Sequence, residues 1–225
     1  MRRIVLKISG KLLNPSNPDL IKRYIDAIKK IYEEGYRIAV VTGGGEIARE
    51  YIRTCREISN NEGVCDLIGI EMSRVNALLL AGGLGDIAYG KIPRDFDEFL
   101  EAWSTNKVVI LGGIQPGQST SAVAAVIAEI VRSDLLVYLT VVHGVYDREP
   151  SQPGATLLKE VSIDELENIL RGQSFIAGGY ELIDHVAIKI IRRSRINTVV
   201  VNGYEPENLF RILSGESVGT LIVHR

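Results

Sequence analysis

Three apolar runs in this chain end in glycine, and each ending carries groups suited to a phosphate. The fullest leads from Leu111 through Gly112-Gly113-Ile114-Gln115-Pro116-Gly117-Gln118-Ser119-Thr120-Ser121 into a run of small residues. An extended run over residues 107–111 stops at the paired glycines, and a polar loop follows. Ser119, Thr120 and Ser121 then fall where an N-cap and first helical turn belong. The unpaired N–H groups and the positive end of that helix dipole would face the loop, which favours an anion. The other two endings are Val5-Leu6-Lys7-Ile8-Ser9-Gly10-Lys11 and Ala39-Val40-Val41-Thr42-Gly43-Gly44-Gly45. Several such turns in one chain point to a protein that holds two phosphorylated molecules at once.

Lys7 is the chemical candidate. It ends a buried strand beside Ser9-Gly10-Lys11, where an ammonium would sit on a transferring phosphoryl group, although a strand-end lysine also snorkels readily to solvent. Arg49, one turn into the helix after Gly45, is placed for a second phosphate contact or for plain solvation. Asp66 and Arg74 share a helix face two turns apart, with Asn76 off that stripe; a surface ion-pairing patch is the simplest account of all three. Asp184 opens an otherwise apolar helix, where an N-cap is the plain alternative to chemistry. His143 and His185 have no partners at ligand spacing, so no metal site is expected. No Walker A sequence occurs, because Gly10-Lys11 and Gly90-Lys91 are both followed by apolar residues. Gly43-Gly44-Gly45-Glu46-Ile47-Ala48 matches the loose dinucleotide pattern, but in the second β-α turn and with no strand-ending acid about twenty residues on.

Strand and helix signals alternate along the chain to position these groups. Strands are expected over residues 3–8, 37–42, 107–111, 135–142, 197–202 and 220–224. Helices are expected over 20–32, 46–58, 66–80, 95–103, 121–132, 181–193 and 206–213, with another running from the Ser162/Glu165 capping box to Gly172. The helix from Asp66 should end near Gly82-Gly83, and residues 172–179 read as a glycine-rich loop. Repeated β-α units imply an α/β fold, a mostly parallel sheet with helices on both faces. Its 225 residues suffice for one large domain, and any subdivision would fall near Val142. The 26 basic and 28 acidic residues leave a formal charge of -2, which supports neither a nucleic-acid nor an anionic-membrane surface. No apolar run nears the ~18 residues of a membrane span. Cys55 and Cys65 read as two isolated thiols, which fit a reducing cytosol and hence a cytoplasmic protein.

Taken in order, these segments resemble the amino acid kinase family, and within it the branch of archaeal-type uridylate (UMP) kinases. The markers are Lys7-Ile8-Ser9-Gly10-Lys11; Gly43-Gly44-Gly45 with Arg49; Asp66-Leu67-Ile68-Gly69-Ile70 with Arg74-Val75-Asn76-Ala77; Gly112-Gly113 through Thr120; Ala122-Val123-Ala124-Ala125; Gly144-Val145-Tyr146; and Ile183-Asp184. The resemblance covers essentially the whole chain. It implies a three-layer α/β/α amino acid kinase fold, with residues 1–142 as the phosphate-acceptor part and 143–225 as the ATP-nucleoside part. It also implies transfer of the ATP γ-phosphoryl group to UMP in pyrimidine nucleotide (CTP) synthesis, Mg²⁺ carried with ATP, and a homohexamer.

By the same resemblance Lys7, Ile8, Ser9, Gly10, Lys11 and Gly45 line the ATP phosphates, with Arg49 close by. Thr140, Tyr146 and Glu149 hold the adenosine. Gly44 and Asp66 touch UMP, and Ile114, Gln115, Pro116, Gly117, Gln118, Ser119 and Thr120 wrap its uracil and phosphate. Lys7 is catalytic, and Asp184 orients it. Relatives usually read T-N-V-D-G-V-Y-x-x-D-P where this chain has Val141, His143 and Glu149 in place of the amide and the two acids. That departure bears on the donor base and supports one alternative, a nucleotide sensor without activity. The other alternative is a different acceptor, such as acetylglutamate, carbamate or isopentenyl phosphate. Ser121 likewise replaces an acid.

Overall fold

The computed structural model describes residues 2–172 and 183–224, with the side chains of residues 171 and 172 left aside. The expected glycine-rich loop at 173–179, and residues 181 and 182 of the expected helix, lie outside the described residues.

The core is one seven-stranded sheet. In chain order its strands are β1 (Arg3–Ile8), β2 (Arg37–Thr42), β3 (Val109–Leu111), β4 (Leu135–Thr140), β5 (Glu160–Ser162), β6 (Thr198–Asn202) and β7 (Thr220–Val223). Their spatial order is β3-β2-β1-β4-β6-β7-β5. All pairs are parallel except β6 with β7. The helices are α1 (Pro18–Glu33), α2 (Gly45–Ser59), α3 (Glu62–Leu84), α4 (Phe96–Ser104), α5 (Thr120–Ile130), α6 (Ile163–Gly172), α7 (His185–Ser194) and α8 (Asn208–Leu213).

Alternation along β1 divides the core into two layers. Val5 faces a cluster with Phe99, Val123, Ala124, Ile188 and Leu166, contributed by α4, α5, α7 and α6. Ile4, Leu6 and Ile8 face Tyr24, Ile28, Leu80 and Leu209, contributed by α1, α3 and α8. Helices thus cover both faces of a sheet whose central strands are buried, which is the expected three-layer α/β/α arrangement. The capping signals also hold. Ser162 and Glu165 exchange hydrogen bonds, with the Ser162 N–H donating to Glu165 Oε2 at 3.0 Å and the Glu165 N–H to Ser162 Oγ at 3.2 Å.

Several boundaries differ. β3 is only three residues long, with Val108 forming an isolated bridge to Ala88; β4 stops at Thr140; α8 starts at Asn208. β5 carried no periodic signal, being a three-residue edge strand. α3 begins at Glu62 rather than Asp66, and it ends, near Gly82-Gly83 as expected, at Leu84, followed by Gly85 with φ of +63°. Gly83 serves contact with α1 rather than termination: a Cβ there would lie 2.2 Å from Ile25 Cδ1.

The reading of the cysteines is corrected. Cys55 and Cys65 form a disulfide with Cα atoms 5.6 Å apart. Asn60, at φ of +47°, closes α2, and Asn61 caps α3 by accepting the Val64 N–H at 3.2 Å. The chain reverses there and sets the end of α2 against the start of α3, within disulfide reach. Metal-ligand spacing in sequence could not register this hairpin. The inference of a reducing cytosol loses the support it drew from free thiols.

Gly83→Ala should lower stability by about 1–3 kcal/mol in denaturant unfolding. Combining it with Ile25→Val, which deletes the obstructing methyl, should recover part of that loss; an additive loss would contradict the close α1–α3 approach as the reason for glycine.

Candidate active site

Every strand-to-loop turn singled out in the sequence lies at the carboxyl edge of the sheet. From β1 the chain runs on to β2 and β3 on one side, and β4 begins the other side, so the order reverses between β1 and β4. A crevice at such a reversal is where open parallel sheets bind ligands. Lys7 stands there. It is in register with Val41 on one side and Tyr138 on the other, and it shares the α5/α7 face of the sheet with Val5.

The three glycine turns are packed together, which accounts for much of their composition. A Cβ on Gly10 would lie 2.1 Å from the Gly45 nitrogen and 2.5 Å from the Gly43 oxygen. Gly45 has φ of +77°, a conformation open to glycine, and begins α2 immediately. The turn after β1 therefore rests backbone-to-backbone on the turn after β2, beside the positive end of α2. A Cβ on Gly112 would strike Ser73 Oγ at 2.4 Å and the Arg74 nitrogen at 2.7 Å, so the third turn is pressed against α3.

Polar groups of α3 fasten these turns in place. The Ser73 hydroxyl donates to the Ile70 oxygen at 2.6 Å and accepts the Gly113 N–H at 2.7 Å. Asn76 Nδ2, buried, donates to the Gly43 oxygen at 2.7 Å and lies 3.4 Å from the Gly44 oxygen. Asp66 Oδ2 accepts the Gly117 N–H at 2.8 Å. The Thr42 hydroxyl at the end of β2 donates back to the Ser73 oxygen at 2.7 Å. The expected ion-pairing surface at Asp66, Arg74 and Asn76 is therefore corrected. Only Arg74 forms an ion pair, with Glu71 at 2.6 Å, and its guanidinium also reaches the Ile114 oxygen at 3.5 Å. Ser73, which lies seven residues from Asp66 and so on its stripe, went unnoticed in the sequence because a lone serine inside a helix carries no signal.

Between α3 and the third turn lies a cavity of about 270 Å³. Of the residues expected around an acceptor, Asp66, Gln115, Gly117, Gln118, Ser119 and Thr120 line it, joined by Ile52, Gly69, Ile70, Ser73 and Gly113. Gly44, Ile114 and Pro116 are not among its lining residues; Gly44 lies just behind, where a Cβ would be 3.3 Å from the Gly69 oxygen. Ser119 caps α5 by accepting the Ala122 N–H at 3.0 Å, so the positive end of α5 opens onto the cavity. Gln118 Oε1 is buried there with no hydrogen-bond partner, an acceptor awaiting a donor.

Asp184 is the N-cap of α7, its Oδ1 accepting the Val186 and Ala187 N–H groups at 2.7 and 3.0 Å. Its Oδ2 accepts the Ser119 hydroxyl, which ties the start of α7 to the start of α5. Burial, and then the Asp184 charge, hold the Tyr138 phenol well above its ordinary pKa. Asp184 is thus felt at the residue in register with Lys7. Capping of α7 and contact with the N-cap residue of α5 coexist at this carboxylate. Ser9 and Lys11 flank the buried Gly10, with Lys11 in a short 3-10 turn and Ile8 packed below. Arg49 is exposed on the first turn of α2. Thr140 ends β4 and Tyr146 bridges to Leu157, while Glu149 is exposed in the loop beyond. These three lie at or after the end of β4 in the chain, and none of them lines the cavity beside α3. Among the described residues no group of three or more His, Cys, Asp or Glu is placed to hold a metal ion. No helix among them is long and apolar enough to cross a membrane.

A mostly parallel sheet carrying interlocked glycine turns, a lysine at the strand reversal and two helix N-termini beyond the same sheet edge defines a phosphate-handling α/β protein. Residues 2–202 match the model of the amino acid kinase family, and the chain belongs to that family. It is 47% identical to the uridylate kinase of Hyperthermus butylicus, over 97% of each chain. It is 45% identical to the uridylate kinase of Sulfurisphaera tokodaii, over 98% of each. The crystal structure of uridylate kinase from Archaeoglobus fulgidus superposes with a TM-score of 0.89 at 37% identity, covering 99% of this chain and 100% of the other. A UMP kinase from Bacillus anthracis, at 23% identity and a TM-score of 0.81, shares the fold.

Asn76→Asp would set a carboxylate against the Gly43 oxygen and remove the donor. It should cost roughly 3 kcal/mol in unfolding measurements, the scale of an uncompensated buried charge. Unchanged stability would contradict the role of Asn76 in holding the second turn.

Proposed function

We propose that this chain transfers the γ-phosphoryl group of ATP to UMP, giving UDP and ADP. The observation that carries the reading is the cavity between Asp66 and Thr120, lined by Gly113, Gln115 and residues 117–120, with Gly44 of the turn after β2 close behind it. Its neighbours in identity, named uridylate kinases at 45–47%, support the same substrate.

In this reading Asp66 takes the ribose hydroxyls of UMP, and Gln118 Oε1 accepts from a base N–H. The N–H groups at the start of α5 face the acceptor phosphate. Gly44 and residues 114–116 back this site. The donor phosphates lie along residues 7–11 and Gly45 at the positive end of α2, with Arg49 at their outer side. The donor nucleoside lies toward Thr140, Tyr146 and Glu149. The part up to about residue 142 thus carries the acceptor site and the donor-phosphate turns, and the part from there on most of the contacts to the ATP nucleoside.

The protein's task is position and charge compensation, since in-line phosphoryl transfer asks little covalent chemistry of it. Lys7, fixed by its strand between β2 and β4, lies at the junction and stabilises charge spreading over the transferred group. Asp184, held by two N–H groups and the Ser119 hydroxyl, orients Lys7 and links acceptor-side α5 to that lysine. Mg²⁺ supplies further charge compensation when ATP is bound. The donor set fits an ion ligated by phosphate oxygens and water rather than by a protein cage. Association into a homo-oligomer is part of the proposal, supported by the exposed apolar stripe Val64, Leu67, Val75, Leu78 and Leu79 on α3.

The test is ADP release with Mg-ATP and a panel of UMP, CMP, dUMP, acetylglutamate, carbamate and isopentenyl phosphate. UMP should be preferred; preference for a non-nucleotide acceptor would overturn the reading. Lys7→Ala should lower kcat by about 10²–10³-fold with little change in KM for UMP. A raised KM with kcat intact would remove Lys7 from the transferring group.

A further inference from the structure

We propose that the Cys55–Cys65 disulfide is a positioning cross-link for the acceptor cavity, so that breaking it weakens acceptor binding while leaving the transfer step intact. The proposal rests on the reading of that cavity as the UMP site.

The cross-link joins the two helices that form one wall of the cavity. Cys55 lies one helical turn past Ile52, a lining residue of α2. Cys65 immediately precedes Asp66, the lining carboxylate that accepts the Gly117 N–H at 2.8 Å. Ile52 itself reaches across to α3, where a Cβ on Gly69 would lie 2.9 Å from Ile52 Cδ1. The disulfide thus sets the spacing between α2 and the face of α3 that presents Asp66.

Apart from the packing of Ile52 on Gly69, that half of α2 buries few side chains against α3. Of its fifteen residues, only Ala48 and Cys55 are buried. Arg56 and Glu62 also join the two helices in a bidentate pair, Nε to Oε1 and Nη2 to Oε2 both at 2.9 Å, but its side chains are 48% and 66% exposed, so salt screens it as it cannot screen the covalent tie. Ser59 Oγ lies 3.3 Å from Cys55 Sγ and 3.8 Å from Cys65 Sγ, but its hydroxyl is directed to the Cys55 oxygen at 2.9 Å, within its own helix. A segment with so few buried side chains opens at low free energy once its covalent tie is cut. By contrast, Lys7 and the interlocked turns are held by the sheet and by Ser73 and Asn76, two turns or more further along α3. Cutting the tie therefore loosens the acceptor wall and spares the phosphate turns.

The chemistry of cutting is thiol–disulfide exchange with a small dithiol. One thiolate of the dithiol attacks one Sγ, breaking the Cys55–Cys65 bond and forming a mixed disulfide. The second thiol of the dithiol then closes on its own mixed-disulfide sulfur and releases the cysteine. Two electrons and two protons pass to the protein, which gains two thiols, and the dithiol becomes a cyclic disulfide. Both sulfurs belong to residues 3% exposed or less, so exchange needs local opening of the hairpin and proceeds slowly in the folded chain.

The experiment uses the full chain purified without reductant. Alkylation under denaturing conditions, read by mass, should find no free thiol before dithiothreitol treatment and two after it. KM and kcat are then measured for UMP and ATP in the oxidised form, the reduced form and the Cys55→Ala/Cys65→Ala double variant. The reduced form and the double variant should show a KM for UMP raised about tenfold, with kcat and the KM for ATP within about twofold of the oxidised form. Reductant should leave the double variant unchanged. Two free thiols in the untreated chain would overturn the proposal. So would equal KM values for UMP in verified oxidised and reduced forms, or a joint fall in kcat and in affinity for both substrates, which marks general loosening. Absence of UMP turnover in every form would overturn the UMP reading and this proposal with it, whereas turnover with equal KM values removes this proposal alone.

Discussion

The buried contact between α3 and the glycine turns is the constraint on which the site depends. Parallel strands end at one edge, but nothing in a strand decides how the loops beyond it sit relative to one another. Here α3 does so with polar side chains that reach backbone groups of those loops. The Gly113 N–H is satisfied by Ser73 Oγ, the Gly43 oxygen by Asn76 Nδ2, and the Gly117 N–H by Asp66. A buried backbone group left unpaired costs about as much as a lost hydrogen bond, so the two buried bonds, from Ser73 and Asn76, are strong preferences for one loop position, and the exposed Asp66–Gly117 bond adds to them. The absence of side chains at Gly10, Gly43, Gly45 and Gly112 lets the backbones meet at that position.

The electrostatics follow from the same packing. A chain with a formal charge of -2 has no global field to attract nucleotides, and the attraction must be built locally. Two helix N-termini, those of α2 and α5, are brought to one crevice by the turns that precede them, and Lys7 is brought there by its strand. These are fixed partial charges in place before any ligand arrives, which is the arrangement that favours a transition state with spread negative charge. Asp184 joins the network without disturbing it, because its carboxylate is already committed to the start of α7 and to Ser119.

Much of this was legible in the sequence, for physical reasons. The strands of the central sheet announce themselves as short β-branched runs ended by glycine, and Ser119, Asp184 and the Ser162/Glu165 pair announce helix starts through their capping chemistry. The cavity-lining set of Asp66, Gln115 and residues 117–120 was legible too, but through family resemblance, since spacing alone did not bring residue 66 to residue 117. What stayed hidden is what depends on pairs distant in sequence. Gly83 suggests a helix end until Ile25 is seen against it. The glycine turns suggest clearance for a ligand, whereas Gly10 and Gly45 are also needed for each other. Ser73 and Asn76 look like ordinary helix residues until their carbonyl and N–H partners arrive from β2 and β3. Cys55 and Cys65 look like isolated thiols until the Asn60-Asn61 reversal folds α2 onto α3.

The most direct measurement is a crystal structure of the full chain with UMP and a non-hydrolysable ATP analogue with Mg²⁺. The account predicts the UMP ribose on Asp66, its phosphate at the start of α5, and the terminal phosphate of the analogue between Lys7 and the turn at Gly43-Gly44-Gly45. UMP bound away from the cavity between Asp66 and Thr120, or a terminal phosphate out of reach of Lys7, would contradict it.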